Sequence, residues 1–440
     1  MPMNYGEKEP AFFDRNGRLI LPEWARAEYS EDDILLITRC PEGILILPSI
    51  RKLKKLYIEP TNLCNLNCVT CVRNSWEEKS GFMSGDVFDA ILKGIARFDP
   101  VPTVFLGGFG EPLMHPGIID MVEKLHNLNA RVEIITNGTL LSKEMSEALI
   151  KAGISTVWVS IDGARPESYA DIRLGAELDN VIRNITYFSN YFHHHGLTRV
   201  QLGIAFVIMR RNITDLPQIR DLALKVGASQ LLLTNVLPYT HEMKHEALYY
   251  NSLNETCARE PDYNLPLTMP FLSYADDITD GMVPQSILRT SLPRIDLNSF
   301  TATYLSSLMR PGINLYCGDN NFRSLNNRCP FIERGSAAVS WDGYLSPCLP
   351  LMHDYIHYLD NWERYSRSWK IGNVAQKSIR ELWDKPDYID FRKRVQRFEF
   401  SPCPLCGGCE LLNNNEEDCF GNKYPTCGGC LWAQGFIQCP

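Results

Sequence analysis

No apolar run in this sequence approaches the ~18 uninterrupted residues that a membrane span requires. The stretch from Met1 to Lys8 also lacks the cationic start and apolar core of an export signal. A cytoplasmic protein without a membrane partner is the expectation. Basic residues are outnumbered, 44 against 52, and the resulting formal net charge of −8 argues against a global nucleic-acid footprint. Internal repeats and low-complexity tracts are missing as well. With 45% hydrophobic and 22% charged residues the composition is globular, and 440 residues leave room for two to four domains at ~150 residues each.

Cysteine is what the chain has in excess. There are 15, an odd number without an export signal, which argues against a disulfide framework. Cys64, Cys68 and Cys71 form one tight set, and ten more lie between Cys317 and Cys439. Such clumps in a reducing compartment point to metal, whereas Cys40 and Cys257 stand apart and read as isolated thiols.

Four regions follow from the pattern. Residues 1–50 are strand-rich, with a hairpin expected where Glu42-Gly43 precedes Ile44–Leu47. From 51 to 235, six apolar runs (Leu56–Glu59, Thr103–Leu106, Arg131–Thr136, Thr156–Ile161, Gln201–Ile208, Gln230–Thr234) alternate with amphipathic stretches. Asp86, Ser142 and Asp215 are the expected helix N-caps, and Gly153 and Gly227 the expected stops. Strands alternating with helices imply a parallel sheet with right-handed crossovers. Six units fall two short of a closed eight-fold barrel, so the fold class is α/β with a partial (β/α)6 TIM-type barrel. Residues 236–316 lose this rhythm and read as a connecting or insertion region, and 317–440 form the cysteine-rich end. There Asp342-Gly343 signals a hairpin between Val339–Trp341 and Tyr344–Leu345.

Cys64-x3-Cys68-x2-Cys71 directly follows the first barrel strand. Three thiolates on one loop can hold three irons of a four-iron, four-sulfur cube and leave the fourth iron open, because full cysteine ligation needs a fourth thiolate. A structural zinc site is the alternative, but it wants four protein ligands and no histidine lies near this loop.

Thr61-Asn62-Leu63-Cys64-Asn65-Leu66-Asn67-Cys68-Val69-Thr70-Cys71, with Gly107-Gly108-Phe109-Gly110-Glu111-Pro112 after the second strand, resembles the radical S-adenosylmethionine (SAM) superfamily. Thr136-Asn137-Gly138 and Ser160-Ile161-Asp162-Gly163, at the ends of strands three and four, extend the likeness. The resemblance implies a [4Fe-4S] cluster on Cys64, Cys68 and Cys71 that binds SAM. It places Gly108, Gly110 and Glu111 at the methionine amino group, Asn137 beside the cofactor, Ser160 and Asp162 at the ribose and Arg173 at the methionine carboxylate. It departs at Thr70, where the family often has an aromatic residue, so adenine contacts there must differ. One electron would cleave SAM to methionine and a 5′-deoxyadenosyl radical that abstracts hydrogen from a substrate. Cluster potentials reaching about −700 mV call for a ferredoxin or flavodoxin donor.

Cys329-x13-Gly343-x4-Cys348 resembles the opening of the SPASM extension of peptide- and protein-modifying radical SAM enzymes, and Ile371–Val374 and Ser378–Trp383 resemble its middle. The resemblance implies two auxiliary Fe–S clusters, expected as [4Fe-4S]. By order, Cys317, Cys329, Cys348 and Cys430 would serve one, and Cys403, Cys406, Cys427 and Cys439 the other. Cys409 and Cys419 are spare, and either could replace Cys427. Two zinc ribbons are the alternative.

His241-Glu242-Met243-Lys244-His245 matches a zinc-protease string, but Pro238 leaves no long helix ahead of it, and solvated histidines are the better account. Residues 14–48 resemble a SpoVT-AbrB-type swapped hairpin, expected here to serve homodimerisation or docking rather than DNA, given Glu31-Asp32-Asp33. The whole chain, including the ending Pro425–Gly435, is similar to the radical SAM/SPASM maturases associated with tungsten-cofactor oxidoreductases. That implies modification of a tungsten-containing aldehyde oxidoreductase, its cofactor or an accessory peptide. The other readings are a ribosomal-peptide maturase forming thioether or C–C crosslinks and, in a different class, a non-enzymatic metal-binding regulator. No catalytic acid or base is assigned.

Overall fold

Parallel strands covered on both faces read as continuous apolar runs rather than alternating ones, and that pattern dominates the centre of the chain. The computed structural model describes residues 12–23, 37–40, 43–46, 50–250, 288–296, 298–308, 313–316, 326–360, 362–403 and 409–440. Cys257, Cys317 and Cys406 lie outside the described residues.

Near the N-terminus, β1 (Phe12–Phe13) pairs antiparallel with β2 (Leu19–Ile20), and β3 (Ile37–Cys40) with β4 (Gly43–Ile46). The second pair is the hairpin expected at Glu42-Gly43. About half of residues 14–48, over which the likeness to a swapped hairpin runs, lies outside the described residues.

The six expected barrel strands are β5 (Lys55–Ile58), β6 (Thr103–Leu106), β7 (Val132–Thr136), β8 (Thr156–Ser160), β9 (Gln201–Ile208) and β10 (Gln230–Asn235). They lie side by side in chain order and all run parallel. Residues 236–316, read as connecting sequence, supply two further parallel strands, β11 (Leu288–Ser291) and β12 (Ile313–Tyr316), beyond β10. These four-residue runs are too short and too mixed in polarity to stand out by periodicity.

On the other edge the cysteine-rich end joins the same sheet. β13 (Ser336–Val339) runs parallel to β5, with Ser336 opposite Lys55 and Val339 opposite Ile58. β14 (Tyr344–Ser346) returns antiparallel through the expected turn, where Gly343 has φ +87°, and β17 (Gly372–Asn373) closes the edge. Left-handed backbone at that turn is why glycine stands there. Among the described residues the result is one open eleven-stranded sheet. A separate hairpin, β15 (Tyr355–Leu359) with β16 (Trp362–Ser366), follows Cys348.

Helices cover the sheet through amphipathic faces such as Phe88, Ile91 and Ile95 on Gly85–Ile95. Ser142 caps its helix as expected, accepting from the Met145 amide at 3.2 Å, and Gly153 and Gly227 end theirs at positive φ. Two caps differ. Ser84, not Asp86, accepts from the Val87 amide, because the chain turns into the helix one residue before Gly85. Asp215 stands at the N-cap position of Leu216–Lys225 as expected, but its fully buried side chain makes no capping bond and instead accepts from the Ala164 amide at 2.9 Å and pairs with Arg165. His241–Glu246 is a short 3-10 turn, which disposes of a two-histidine helix face. No helix among the described residues is long and apolar enough to cross a membrane.

Trp383 pins the cysteine-rich end to the entry of β5. It is fully buried, donates Nε1–H to the Arg51 carbonyl at 2.7 Å, and lies 3.9 Å from the Arg392 guanidinium. Trp383→Ala is expected to destabilise the protein by about 3–5 kcal/mol, read as a lowered urea midpoint under anaerobic conditions. A midpoint unchanged from wild type would remove Trp383 from this role.

Candidate active site

The cysteine loop leaves the carboxyl end of β5 and is shaped by hydrogen bonds that do not involve its thiols. The Asn67 and Val69 amides donate to the carbonyls of Leu174 and Ile172 at 3.2 and 3.0 Å. Asn62 bridges the Lys79 carbonyl and the Gly81 amide, and Arg73 Nη2 holds the Leu66 carbonyl at 2.6 Å. Each thiol also faces an N–H donor: Asn137 Nδ2 lies 3.8 Å from Cys64 Sγ, Arg173 Nη1 3.9 Å from Cys68 Sγ, and Arg73 Nε 3.3 Å from Cys71 Sγ. Donors of this kind to ligating sulfur are a means of tuning an iron–sulfur centre. Burial pushes the Cys64 and Cys68 thiols up, so binding iron there must displace their protons.

The second strand's glycine turn lies against this loop. A Cβ on Gly110 would lie 2.2 Å from the Thr61 carbonyl oxygen, so only glycine allows the two backbones to approach. Gly108 packs the same way over Glu59. Glu111, expected at the methionine ammonium, has both carboxylate oxygens committed within the protein. It accepts from the Asn137 amide at 2.7 Å, the Thr136 hydroxyl at 2.7 Å and the Leu113 amide at 3.1 Å. It therefore ties the glycine turn to the end of β7 and aims Asn137 at Cys64. Burial raises its carboxyl to about 7 against those three donors.

Ser160 ends β8 and is half-buried. Asp162, expected with it at the ribose, is fully buried and accepts from the Val207 amide at 2.8 Å and from Arg173 at 2.7 Å. It is the anchor of Arg173. Burial works against the Arg173 charge, but Asp162 and Cys68 hold its pKa above the ordinary value. The guanidinium is thus a fixed cation beside the cysteine loop, placed to receive a carboxylate.

A second constellation lies in the cysteine-rich end. One cavity is lined by Cys329, Cys348, Cys427 and Cys430, with Tyr355, His357 and Arg364 from the β15–β16 hairpin. Cys427, expected in the other group, stands here because Cys427-Gly-Gly-Cys430 is a single turn closed by the Cys430 amide on the Cys427 carbonyl at 3.1 Å. Gly428 lets that turn press on the Ser401 carbonyl. Cys403 and Cys419 meet elsewhere: their sulfurs lie 3.6 and 3.0 Å from the same Ser401 hydroxyl. Cys409 is exposed, and Cys439 accepts from Trp432 Nε1 at 3.2 Å without lining the cavity. Among the described residues no three His, Cys, Asp or Glu side chains converge on one ion-sized point. The cluster reading rests on the shared cavity and the donor chemistry, and a four-iron cube spreads its thiolates more widely than a single ion does.

Several residues had no sequence signal strong enough to select them. Arg73, two residues after Cys71, reaches back to its sulfur. Glu59 closes the first strand and meets His353 from the cysteine-rich end at 2.8 Å. Burial works against the His353 charge, but Glu59 and Glu78 hold its pKa up at about 9.

Family comparison agrees with this geometry. Residues 58–208 match the model of the Radical SAM superfamily, and 329–410 match SPASM, an iron–sulfur cluster-binding domain. The chain carries a radical SAM domain followed by a SPASM domain. A Pyrococcus furiosus protein named as a tungsten-containing aldehyde ferredoxin oxidoreductase cofactor-modifying protein is 28% identical over 392 residues, covering 88% of this chain and 97% of its own. The Fe-coproporphyrin III synthase of Methanosarcina barkeri is 29% identical over 389 residues, covering 85% and 84%. Streptococcus suis SuiB bound to precursor peptide SuiA shares the fold at a TM-score of 0.51 and 17% identity, over 83% of this chain and 73% of that one. The enzyme anSMEcpe with bound AdoMet does so at 0.51 and 18%, over 87% and 92%. This is a radical SAM enzyme of the SPASM type, and the regulator reading is set aside.

Gly110→Ala in this radical SAM enzyme is expected to lower SAM cleavage on the order of 100-fold, because the turn must move away from Thr61. Cleavage within about threefold of wild type would show that the close approach has no bearing on SAM.

Proposed function

We propose that this radical SAM enzyme matures a tungsten-containing aldehyde oxidoreductase by modifying its cofactor or the protein that carries it. The observation that carries the radical chemistry is the three-thiol loop fixed at the carboxyl end of β5, against the glycine turn and Arg173. The tungsten assignment is supported by the relative matched along nearly its whole length. A cofactor-level substrate is further supported by the porphyrin named for the Methanosarcina relative.

The donor set fits an iron–sulfur cluster: three thiols on one loop, each with an N–H donor. Cys64, Cys68 and Cys71 would hold three irons and leave one for SAM. Bound there, the cluster supplies the electron that divides SAM into methionine and a 5′-deoxyadenosyl radical. The protein's own contribution is placement. Arg173, held by Asp162, receives the methionine carboxylate. The backbone around Gly108 and Gly110 receives the amino group, and Glu111 keeps that turn in register with Asn137. Ser160 is left as the ribose contact.

Two auxiliary clusters follow from the cysteine groups. Cys329, Cys348, Cys427 and Cys430 would serve the first. Cys403 and Cys419, with Cys406 and Cys409, would serve the second. Cys439 and Cys317 are then the extra thiols. A ferredoxin or flavodoxin is the electron donor that such low-potential centres need.

Anaerobically reconstituted wild type is expected to form 5′-deoxyadenosine from SAM with a strong reductant, and the Cys64→Ala, Cys68→Ala, Cys71→Ala variant is expected to form none. Equal product from both would end the radical SAM assignment of these thiols. In iron analysis, Cys427→Ser is expected to lose about four irons per chain, while Cys439→Ser keeps the full complement. Loss of about four irons from both variants would reinstate the grouping by chain order.

A further inference from the structure

Glu59 follows β5 directly and lies completely buried beneath the glycine turn. Its Oε1 accepts from the Phe109 amide at 3.2 Å, in the middle of Gly107–Gly110. Its Oε2 accepts from the Trp341 amide at 3.4 Å and lies 2.8 Å from His353 Nε2. A Cβ on Gly108 would sit 2.7 Å from Glu59 Cγ, so the carboxylate is in contact with the turn itself.

His353 comes from the other domain. It stands five residues after Cys348, joined to it by the short turn Leu349–Leu351. Its Nδ1 lies 3.6 Å from Glu78 Oε1, and its ring packs edge-on to Trp76 at 4.7 Å and Phe109 at 5.8 Å. Trp76 and Glu78 lie on the chain leaving the cysteine loop. One buried imidazole therefore touches the base of the glycine turn, the exit of the Cys71 loop and the segment that follows an auxiliary cysteine. A carboxylate buried this deeply needs its cation, and removing one partner leaves the other uncompensated. A shift of the Cys348 segment must therefore reach Glu59 and, through it, the Phe109 amide.

We infer that Glu59 and His353 are a positioning pair through which the Cys348 segment sets the shape of the SAM-binding turn, so that SAM affinity depends on the integrity of the auxiliary cysteine site. The inference rests on the reading that Gly107–Gly110 receives SAM. Neither residue touches SAM in this account; both act through the turn.

The test is a SAM titration of the anaerobically reconstituted full-length enzyme, followed by the change that SAM causes in the electron paramagnetic resonance spectrum of the reduced Cys64/Cys68/Cys71 cluster. Glu59→Gln and His353→Leu are each expected to weaken SAM about tenfold, the effect of one lost charge-assisted hydrogen bond. The double variant should be no weaker than the worse single, because the two residues act as a unit. Cys348→Ser should weaken SAM in the wild-type background and add nothing further in His353→Leu. His353→Gln, which can still donate to Glu59, should recover most of the affinity. A purely architectural pair would lower the unfolding midpoint and leave affinity within about twofold of wild type in variants that keep the cluster; that result overturns the inference. If Gly110→Ala abolishes the response while the Glu59 and His353 variants keep it, the turn reading stands and the inference falls. A wild type with no SAM response removes both.

Discussion

Three thiols must be presented together at the edge of a parallel sheet, and the rest of the structure is arranged around that requirement. Their loop is shaped by amides that donate to the carbonyls of Ile172 and Leu174 and by the side chains of Asn62 and Arg73. Ile172 and Leu174 come from well outside the loop, so its shape depends on β8, and the segment after it, already being in place. Preorganisation of this kind lowers the ordering cost of assembling a centre.

The same edge gathers the polar groups that surround the loop. Loops after parallel strands converge at the carboxyl ends, which is where binding sites of such sheets lie. Asn137 follows β7, Asp162 follows β8 and Glu59 follows β5. Each is buried and each is matched: Asn137 is aimed by Glu111, Asp162 binds Arg173, and Glu59 meets His353. Buried charge survives only where such partners compensate it. The matching explains why these side chains hold fixed positions around the loop.

Joining β13 to β5 gives the two domains a common sheet rather than a hinge. Cys348 and the hairpin after it are consequently held at a set distance from the Cys64 loop, and Trp341 and His353 reach the base of the glycine turn. A flexible linker would leave the auxiliary thiols free to wander. The shared ladder of hydrogen bonds does not.

Much was legible from the chain alone. The order of β5 to β10, the Asp342-Gly343 turn and the three-cysteine loop follow from local periodicity, glycine placement and spacing, which act over a few residues. The pairing of partners did not follow. Spacing allotted Cys427 and Cys430 to different groups, but a two-residue turn keeps their thiols in one cavity. Motif likeness singled out Asp162 and Arg173 separately, and the fold pairs them, with Asp162 also accepting from the Val207 amide. Glu59 and His353 are separated by 294 residues, and only the parallel addition of β13 beside β5 brings them together. Sequence by itself determined which elements form and which chemistry the cysteines can support, because those depend on neighbours along the chain. Tertiary structure decided which buried charge meets which counter-charge, because that depends on where distant strands pair.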